Sequence, residues 1–481
     1  GEGCYIPLQI VLVQQTTMAS LLVSGSNPMQ PVILWFRRNL RLADNAALQA
    51  AVEAGCPIIP LYIHDEEDRG SASRWWLHPS LTNLDRDLRK LGASLLLRSG
   101  EPRQILAELA AQTGAKALYF ARRREPACIR QERDVSEVLE GRVSIEVYDD
   151  SFLHAPETVM TQSDTPYRVF TAFWKTASAL GEPGLPVPAP ESIAVADPMP
   201  ESLSIGDLGL LSASAEQQQN YAAAWVPGEA AGLQRVDDIE SILRDYPSYR
   251  DRPDLDATTR LSPYLYFGEV SVRQVWHTVR QLEMPLGSAA GGEALLRQLY
   301  WRDFSSYLLC HFPDLPDKPL RAEFEHFPWS TDETLLRAWQ DGMTGYPIVD
   351  AGMRQLKQTG WMHNRVRMIV ASFLVKDLFV PWQDGAEWFL ENLVDADLAN
   401  NSASWQWVAG CGSDAAPYFR IFNPTLQGQK FDPNGSYVRR WVPDVAEPSY
   451  PAPIVDHGEA RRMALDAYQS IRGMRASKQA P

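Results

Sequence analysis

The chain has 481 residues, a formal net charge of −15 and five cysteines, a length that suits two or three domains with a large buried core. Its 45% hydrophobic and 22% charged composition excludes a mainly disordered or fibrous chain, and five scattered cysteines without a C-x-x-C pair exclude a disulfide framework or a cysteine-rich metal site. The acidic balance excludes coating of nucleic acid or membrane by bulk charge and leaves room for a local basic patch; the fifteen tryptophans are the count left to explain.

Residues 1–30 read as an unstructured leader. Their longest apolar run, Ile6 to Val13, is too short to span a membrane, and the segment has Glu2 but no Lys or Arg, so it lacks the basic start of a secretory signal. Met18 and Met29 are candidate starts. No long apolar run follows, and the cysteine pattern fits a reducing, cytoplasmic setting.

Residues 31–150 alternate short apolar runs with amphipathic stretches. The runs are Val32 to Phe36, Ile58 to Ile63, Leu95 to Leu97, Ala117 to Phe120 and Val143 to Val147; the stretches between them include Asp44 to Ala54, Trp75 to Leu91, Pro102 to Thr113 and Ile129 to Leu139. Continuous hydrophobic strands alternating with helices predict a doubly wound parallel-sheet α/β domain with right-handed crossovers. Neither G-x-G-x-x-G nor a P-loop occurs in it. Arg37, Arg38 and Arg41 follow the first strand, where such sheets bind ligands, although arginines that merely solvate a helix start read the same way.

Residues 151–235 are rich in Pro, Ala and Ser and read as a connector. Residues 236–445 carry helical periodicities, at Leu295 to Leu309, Thr334 to Asp341, Val349 to Lys357, Asn364 to Leu378 and Gly385 to Leu393, and predict an all-helical domain. Residues 446–481 form a C-terminal tail.

Four stretches of the helical region stand out. They are Tyr246-Pro-Ser-Tyr-Arg-Asp-Arg-Pro-Asp-Leu-Asp-Ala-Thr-Thr-Arg-Leu-Ser262, Arg297-Gln-Leu-Tyr-Trp-Arg-Asp-Phe304, Gly345 to Leu356 running on to Gly360-Trp-Met-His-Asn-Arg-Val-Arg-Met368, and Asp395-Ala-Asp-Leu-Ala-Asn-Asn-Ser-Ala-Ser-Trp-Gln-Trp407 continuing to Asp414-Ala-Ala-Pro-Tyr-Phe-Arg-Ile-Phe-Asn-Pro424. Together with Leu34-Trp-Phe-Arg-Arg-Asn-Leu-Arg-Leu42 they closely resemble the photolyase/cryptochrome family, over about residues 31–445.

Read from the residues, Thr258-Thr-Arg-Leu-Ser262 offers three hydroxyls suited either to a pyrophosphate or to capping a helix. The resemblance assigns Thr258, Thr259, Arg260, Leu261 and Ser262, with Tyr246, to an FAD diphosphate. Asn364, Arg367 and Met368 sit at i, i+3 and i+4 and share one helix face. By resemblance, Asn364 and Met368 touch flavin and lesion, Arg367 pairs with Asp395, and Asp395 and Asp397 lie beside the flavin ring and ribityl region. Asn401 matches the position facing flavin N5, where an amide offers a hydrogen bond but no ready proton, a pattern that favours repair over signalling.

By the same resemblance, Trp301 and Trp407 line a pocket for an extruded pyrimidine dimer, where base stacking on an aromatic face is worth about 1–3 kcal/mol. Trp405, Trp382 and Trp329 match an electron relay from the surface to the flavin, and Trp361 an adenine-side contact. Arg250, Arg302, Arg365, Arg420 and Gln427 match positions that hold flavin or DNA, so DNA contact rests on local arginines.

Gln298 departs from the repair pattern. Dimer photolyases of the family place Glu there, and an amide still donates an N–H but supplies no proton. Two readings stay open: light-driven repair of cyclobutane pyrimidine dimers in UV-damaged DNA, or a cryptochrome-like blue-light photoreceptor. The resemblance also implies an antenna, with methenyltetrahydrofolate favoured over a deazaflavin, although Arg122-Arg-Arg-Glu-Pro126 and Ile129-Arg130 do not reproduce the folate-contacting Asn-Glu pair of some members. A monomer without metal or membrane association is the expectation.

Overall fold

The computed structural model describes residues 29–65, 70–415 and 419–478. The leader up to residue 28, and residues 416–418 of the fourth motif, lie outside the described residues.

Five strands, β1 (Val32–Phe36), β2 (Ile58–His64), β3 (Leu96–Ser99), β4 (Ala117–Ala121) and β5 (Ser144–Tyr148), form one parallel sheet in the order β3-β2-β1-β4-β5. Each strand starts within a residue of its apolar run. The pleat divides the central strand between two cores: Ile33 and Trp35 pack with Leu106, Leu109, Val135 and Leu139, whereas Val32, Leu34 and Phe36 pack with Ala47, Leu48, Leu81 and Leu84. Helices α1 (Ala46–Glu53) and α2 (Ser71–Lys90) therefore cover one face, and α3 (Pro102–Thr113) and α4 (Pro126–Leu139) the other. This is the doubly wound domain read from the sequence.

Residues 151–235 connect the domains but are not featureless. They hold the helices Phe170–Ala179 and Ala215–Ala224, which bury Phe170, Phe173 and Tyr221 in the core shared with the helical domain. An extended stretch also docks along β2, where Ile58 N–H donates to Ala194 O at 2.7 Å and Ala196 N–H donates to Ile58 O at 3.2 Å.

The two domains are clamped at the carboxyl ends of the strands. Buried Arg41 donates to Asp150 at 2.9 Å and to the Gly268 carbonyl at 2.9 Å. Gly268 has φ +67°, and a Cβ there would lie 1.9 Å from Arg38 O, so only glycine permits this approach.

The helical domain is built around the 23-residue helix Ala289–His311. Around the candidate site run Asn364–Ser372, continued by a π-helical turn Phe373–Asp377, and Trp382–Asn392 and Leu398–Ala409. The periodicity of the sequence predicts one regular helix from Asn364 to Leu378; instead its last turn is π-helical, and every side chain of that turn is buried. The tail carries a further helix, His457–Lys478, which packs Ala464 and Ile471 into the interior.

Candidate flavin and lesion site

Three helix faces and one turn enclose a cavity of ≈ 300 Å³. From Ala289–His311 come Leu295, Gln298, Leu299 and Arg302; from Asn364–Ser372 come Asn364, Arg367, Met368 and Ala371; from Leu398–Ala409 come Asn401, Ser404, Trp405 and Val408. Each set follows the i, i+3, i+4, i+7 spacing that places side chains on one face. Thr259, Leu261 and Ser262 close the cavity from the turn, Tyr246 from the short helix before it, and Asp395 and Asp397 from the loop ahead of Leu398.

One ion pair stands in the cavity. Arg367 Nη2 donates to both oxygens of Asp395, at 3.0 and 2.8 Å, and its Nε holds the Met362 carbonyl at 2.7 Å. This is the pair expected from the sequence. Asp397 also serves the fold directly, because it caps Leu398–Ala409 by accepting from Asn400 N–H at 2.7 Å. Burial raises its carboxyl above the ordinary value, against the pull of that hydrogen bond and of Arg302. Arg302 Nη1 donates to Ser151 O at 2.6 Å, tying the connector to the cavity wall.

Asn401 is buried, and its Nδ2 donates to Ala386 O at 2.9 Å. That bond orients the amide and leaves Oδ1 and the second Nδ2 hydrogen without a protein partner of their own. Gln298 Nε2 reaches its own helix at Ala294 O, 3.2 Å away, so one amide hydrogen stays available. His363 caps Asn364–Ser372 by accepting Arg365 N–H on Nδ1 at 3.2 Å, and burial lowers its imidazole to about 4. It is a neutral structural histidine.

Several expected residues lie off the cavity. Arg260, at φ +51°, turns the chain so that its guanidinium covers Trp361 at 5.3 Å, and burial lowers its pKa. Trp361 thus packs beside Arg260 and Trp225 rather than lining the cavity. Thr258 also stays outside the lining, and the following helix Ser262–Phe267 has only six residues, so hydroxyls rather than a helix dipole carry the anion-binding potential of this turn. Phe170 stacks on Trp301 at 3.6 Å and 7°, taking one face of a ring that is otherwise half-buried. Trp407 and Arg420 meet in a neighbouring cleft, the guanidinium 5.3 Å from the indole, with Val408 shared between cleft and cavity. Arg365 donates to Asp251 at 2.9 Å, Arg250 lies over Tyr246 at 5.7 Å, and Gln427 is half-buried on Pro424–Phe431.

The three tryptophans that the resemblance matched to a relay differ in depth. Trp405 is on the cavity wall, Trp382 is fully buried, and Trp329 is partly exposed against Phe327 at 4.5 Å. Sequence reasoning passed over the neighbours of Trp405, Phe389 at 5.0 Å and Trp339 at 6.2 Å, and also Asp251, Tyr266, Asn400 and Ser404. Ser404 shares the helical spacing of Asn401 and Trp405 and was readable from it; nothing in the spacing of the others marks them, because each reaches the site through tertiary contact.

The arginines after β1 and β4 are committed to protein partners. Arg37 pairs with Glu132, Arg38 donates to Tyr266 Oη at 2.9 Å, Arg123 to Glu125 at 2.8 Å, and Arg124 to Asp149 at 2.6 Å. For Arg37, Arg38 and Arg41 the sequence left a ligand-binding and a structural reading open; the partners of Arg37 and Arg41 are structural, whereas Arg38 also lines a second, smaller cavity with Arg122, Arg123 and Arg124.

The cavity thus has apolar walls from Leu261, Leu265, Val275, Leu295, Leu299, Phe389 and Leu393, and polar groups at its edges. A planar heteroaromatic ring with a polar rim and a hydroxylated, anionic tail fits that donor set. Residues 295–449 match the family model described as the FAD binding domain of DNA photolyase, and residues 32–191 match that of DNA photolyase. A deoxyribodipyrimidine photo-lyase of Agrobacterium fabrum is 43% identical over 471 residues, 92% of this chain and 98% of that protein. The chain belongs to the DNA photolyase/cryptochrome family. Family membership makes FAD the cofactor that the cavity accommodates. The solved structure of a bacterial class III photolyase from Agrobacterium tumefaciens superposes with a TM-score of 0.90 at 42% identity, covering 94% of this chain and 99% of that one. Cryptochrome-1 of Arabidopsis thaliana is 37% identical over 441 residues, 88% of this chain and 64% of that protein. Relatives of both names therefore share the scaffold. No helix among the described residues is long and apolar enough to cross a membrane.

Proposed function

We propose that the chain is a light-driven DNA lyase that splits cyclobutane pyrimidine dimers in UV-damaged DNA. The observation that carries the reading is Asn401: held by its Nδ2 bond to Ala386 O at 2.9 Å, it presents the cavity with a neutral amide, which can hydrogen-bond but has no ready proton to give. When bound, FAD supplies a light-excitable one-electron donor, and the electron returns after the two cyclobutane C–C bonds have opened, so there is no net redox change. Arg367 and Asp395 hold one edge of the cavity as a neutral pair, and Thr259, Ser262 and Tyr246 line the end suited to the diphosphate. Asn364, Met368 and the free amide hydrogen of Gln298 offer contacts to the lesion beside it. Trp407, Trp301, Arg250, Arg365, Arg420 and Gln427 are the proposed contacts to damaged DNA. Trp405, Trp382 and Trp329 form the proposed path by which oxidised flavin regains electrons.

Gln298 supports a second reading, a cryptochrome-like photoreceptor, because its amide supplies no proton to a splitting dimer. The two separate in an assay of purified, flavin-reduced protein on oligonucleotides with either a thymine dimer or a (6-4) product. Repair predicts light-dependent splitting of the thymine dimer only, improved several-fold by Gln298→Glu. A photoreceptor predicts both lesions intact in light, also in Gln298→Glu, while a separate sample with oxidised flavin still bleaches under blue light with a reductant.

A further inference from the structure

The C-terminal helix His457–Lys478 lies beyond the residues matched by the FAD-binding family model, yet it touches the segment that carries Arg420. Tyr468 stacks on Phe419 with ring centroids 4.3 Å apart and planes at 6°. Lys376, from the π-turn, places its Nζ 4.1 Å from the same ring centroid and donates to Arg420 O at 2.5 Å. Two groups that close to one centroid cannot share a face, so the Phe419 ring is held between them. At its edge is Gly410, where a Cβ would meet the ring at 2.9 Å. The Tyr468 hydroxyl engages Arg321, whose Nη1 holds Gly410 O at 3.0 Å. Phe422 N–H donates to Ser372 Oγ at 3.2 Å. These ties fix Phe419 to Phe422 at both ends, and the intervening Arg420 guanidinium is left 5.3 Å from the Trp407 ring.

We propose that Tyr468 is a positioning residue for damaged-DNA binding: by clamping Phe419 against Lys376, it sets where Arg420, beside Trp407, meets the lesion strand. The proposal rests on the repair reading for the identity of the ligand. Tyr468 touches neither the cavity nor its lining residues in the flavin site, so its effect falls on substrate affinity rather than on the splitting step. Stacking, not the hydroxyl, is the main contact, and Phe at this position retains it.

The test uses the full-length, FAD-loaded protein. Fluorescence anisotropy with a thymine-dimer duplex gives Kd for wild type, Tyr468→Ala, Tyr468→Leu and Tyr468→Phe, each alone and combined with Arg420→Ala; dimer splitting per absorbed photon is then read at saturating DNA. Tyr468→Ala and Tyr468→Leu are expected to weaken binding by about threefold to tenfold, the range an aromatic pair supports. Tyr468→Phe stays within about twofold, and splitting by bound complex and flavin content are unchanged in all three. In the Arg420→Ala background the Tyr468 effect disappears, because the two act as one unit. Should Tyr468→Ala prove unstable, Tyr468→Leu fills the same space without a ring and carries the test alone. Wild-type affinity in Tyr468→Leu, or an undiminished effect of Tyr468 in Arg420→Ala, overturns the inference. A wild-type protein that binds the dimer and never splits it overturns the repair reading instead, and the binding data still decide on Tyr468.

Discussion

Two sets of arginines face the interior of this molecule and do different work. At the carboxyl edge of the sheet, Arg37, Arg41 and Arg124 pair with Glu132, Asp150 and Asp149 inside the α/β domain, and Arg41 also reaches across to the Gly268 carbonyl of the helical domain at 2.9 Å. In the helical domain, Arg302 and Arg367 line a cavity, and only Arg367 has a bidentate carboxylate partner. The same guanidinium chemistry serves cohesion in one place and lines an open cavity in the other. What separates them is the space left around the pair, not the residue type.

The largest effect should come from breaking one pair of each kind. Arg41→Met leaves Asp150 buried and unpaired and is expected to cost about 3–5 kcal/mol of unfolding free energy, read by denaturant titration. The fraction that stays folded should keep its flavin. Arg367→Met, by contrast, should strip the flavin absorbance from purified protein at a smaller cost in stability, because its side chain is 23% exposed. Equal flavin loss in both variants would erase the distinction.

The cap of the helix that carries Arg367 gives the next effect. His363 is 2% exposed, and burial holds its imidazole at about 4, with Asp251 raising it and Arg365 and Arg367 lowering it. The folded value lies below the unfolded one of about 6.5, so the unfolded chain takes the proton first. This contribution is complete above pH ~6.5 and is lost as pH falls toward 4, on the order of 3 kcal/mol in all. Unfolding titrations from pH 7 to 4.5 should show that loss, and His363→Gln should flatten it.

Trp405→Phe should slow light-driven reduction of oxidised flavin by at least tenfold, seen as persistence of the flavin band under blue light with a reductant. Splitting by chemically reduced protein should be unaffected. The smallest effect is expected at Arg89, whose side chain is 65% exposed and pairs with Asp85 across one turn of α2. Arg89→Ala should stay within about 0.5 kcal/mol of wild type, with unaltered flavin content and DNA affinity.

The sheet was legible because its central strands β1, β2 and β4 are buried on both faces and stand out as apolar runs, whereas the edge strand β5 is partly exposed and carries Glu146. The walls of the cavity were legible for a related reason: Asn364, Arg367 and Met368 repeat at helical spacing on one face. Leu398–Ala409 gave no such stripe, since Asn401, Ser402, Trp405, Gln406 and Val408 are buried around most of its circumference. Family motifs supplied that part of the reading. The role of His457–Lys478 was not visible, because its contact through Tyr468 joins residues 49 positions apart in sequence, Phe419 and Tyr468. Nor could spacing tell that Phe170, from the connector, covers one face of Trp301, or that Arg260 packs on Trp361. Sequence patterns report which face of an element is buried, whereas partner choice is settled by tertiary packing.

The central claim is that the cavity places a flavin beside a lesion for repair. It is tested most directly by illuminating purified, flavin-reduced protein with a thymine-dimer oligonucleotide at saturating concentration and following the intact thymines. They are expected to reappear in light and not in darkness, with no reductant consumed per dimer. A complex that holds the dimer but leaves it unsplit after prolonged illumination would contradict the claim.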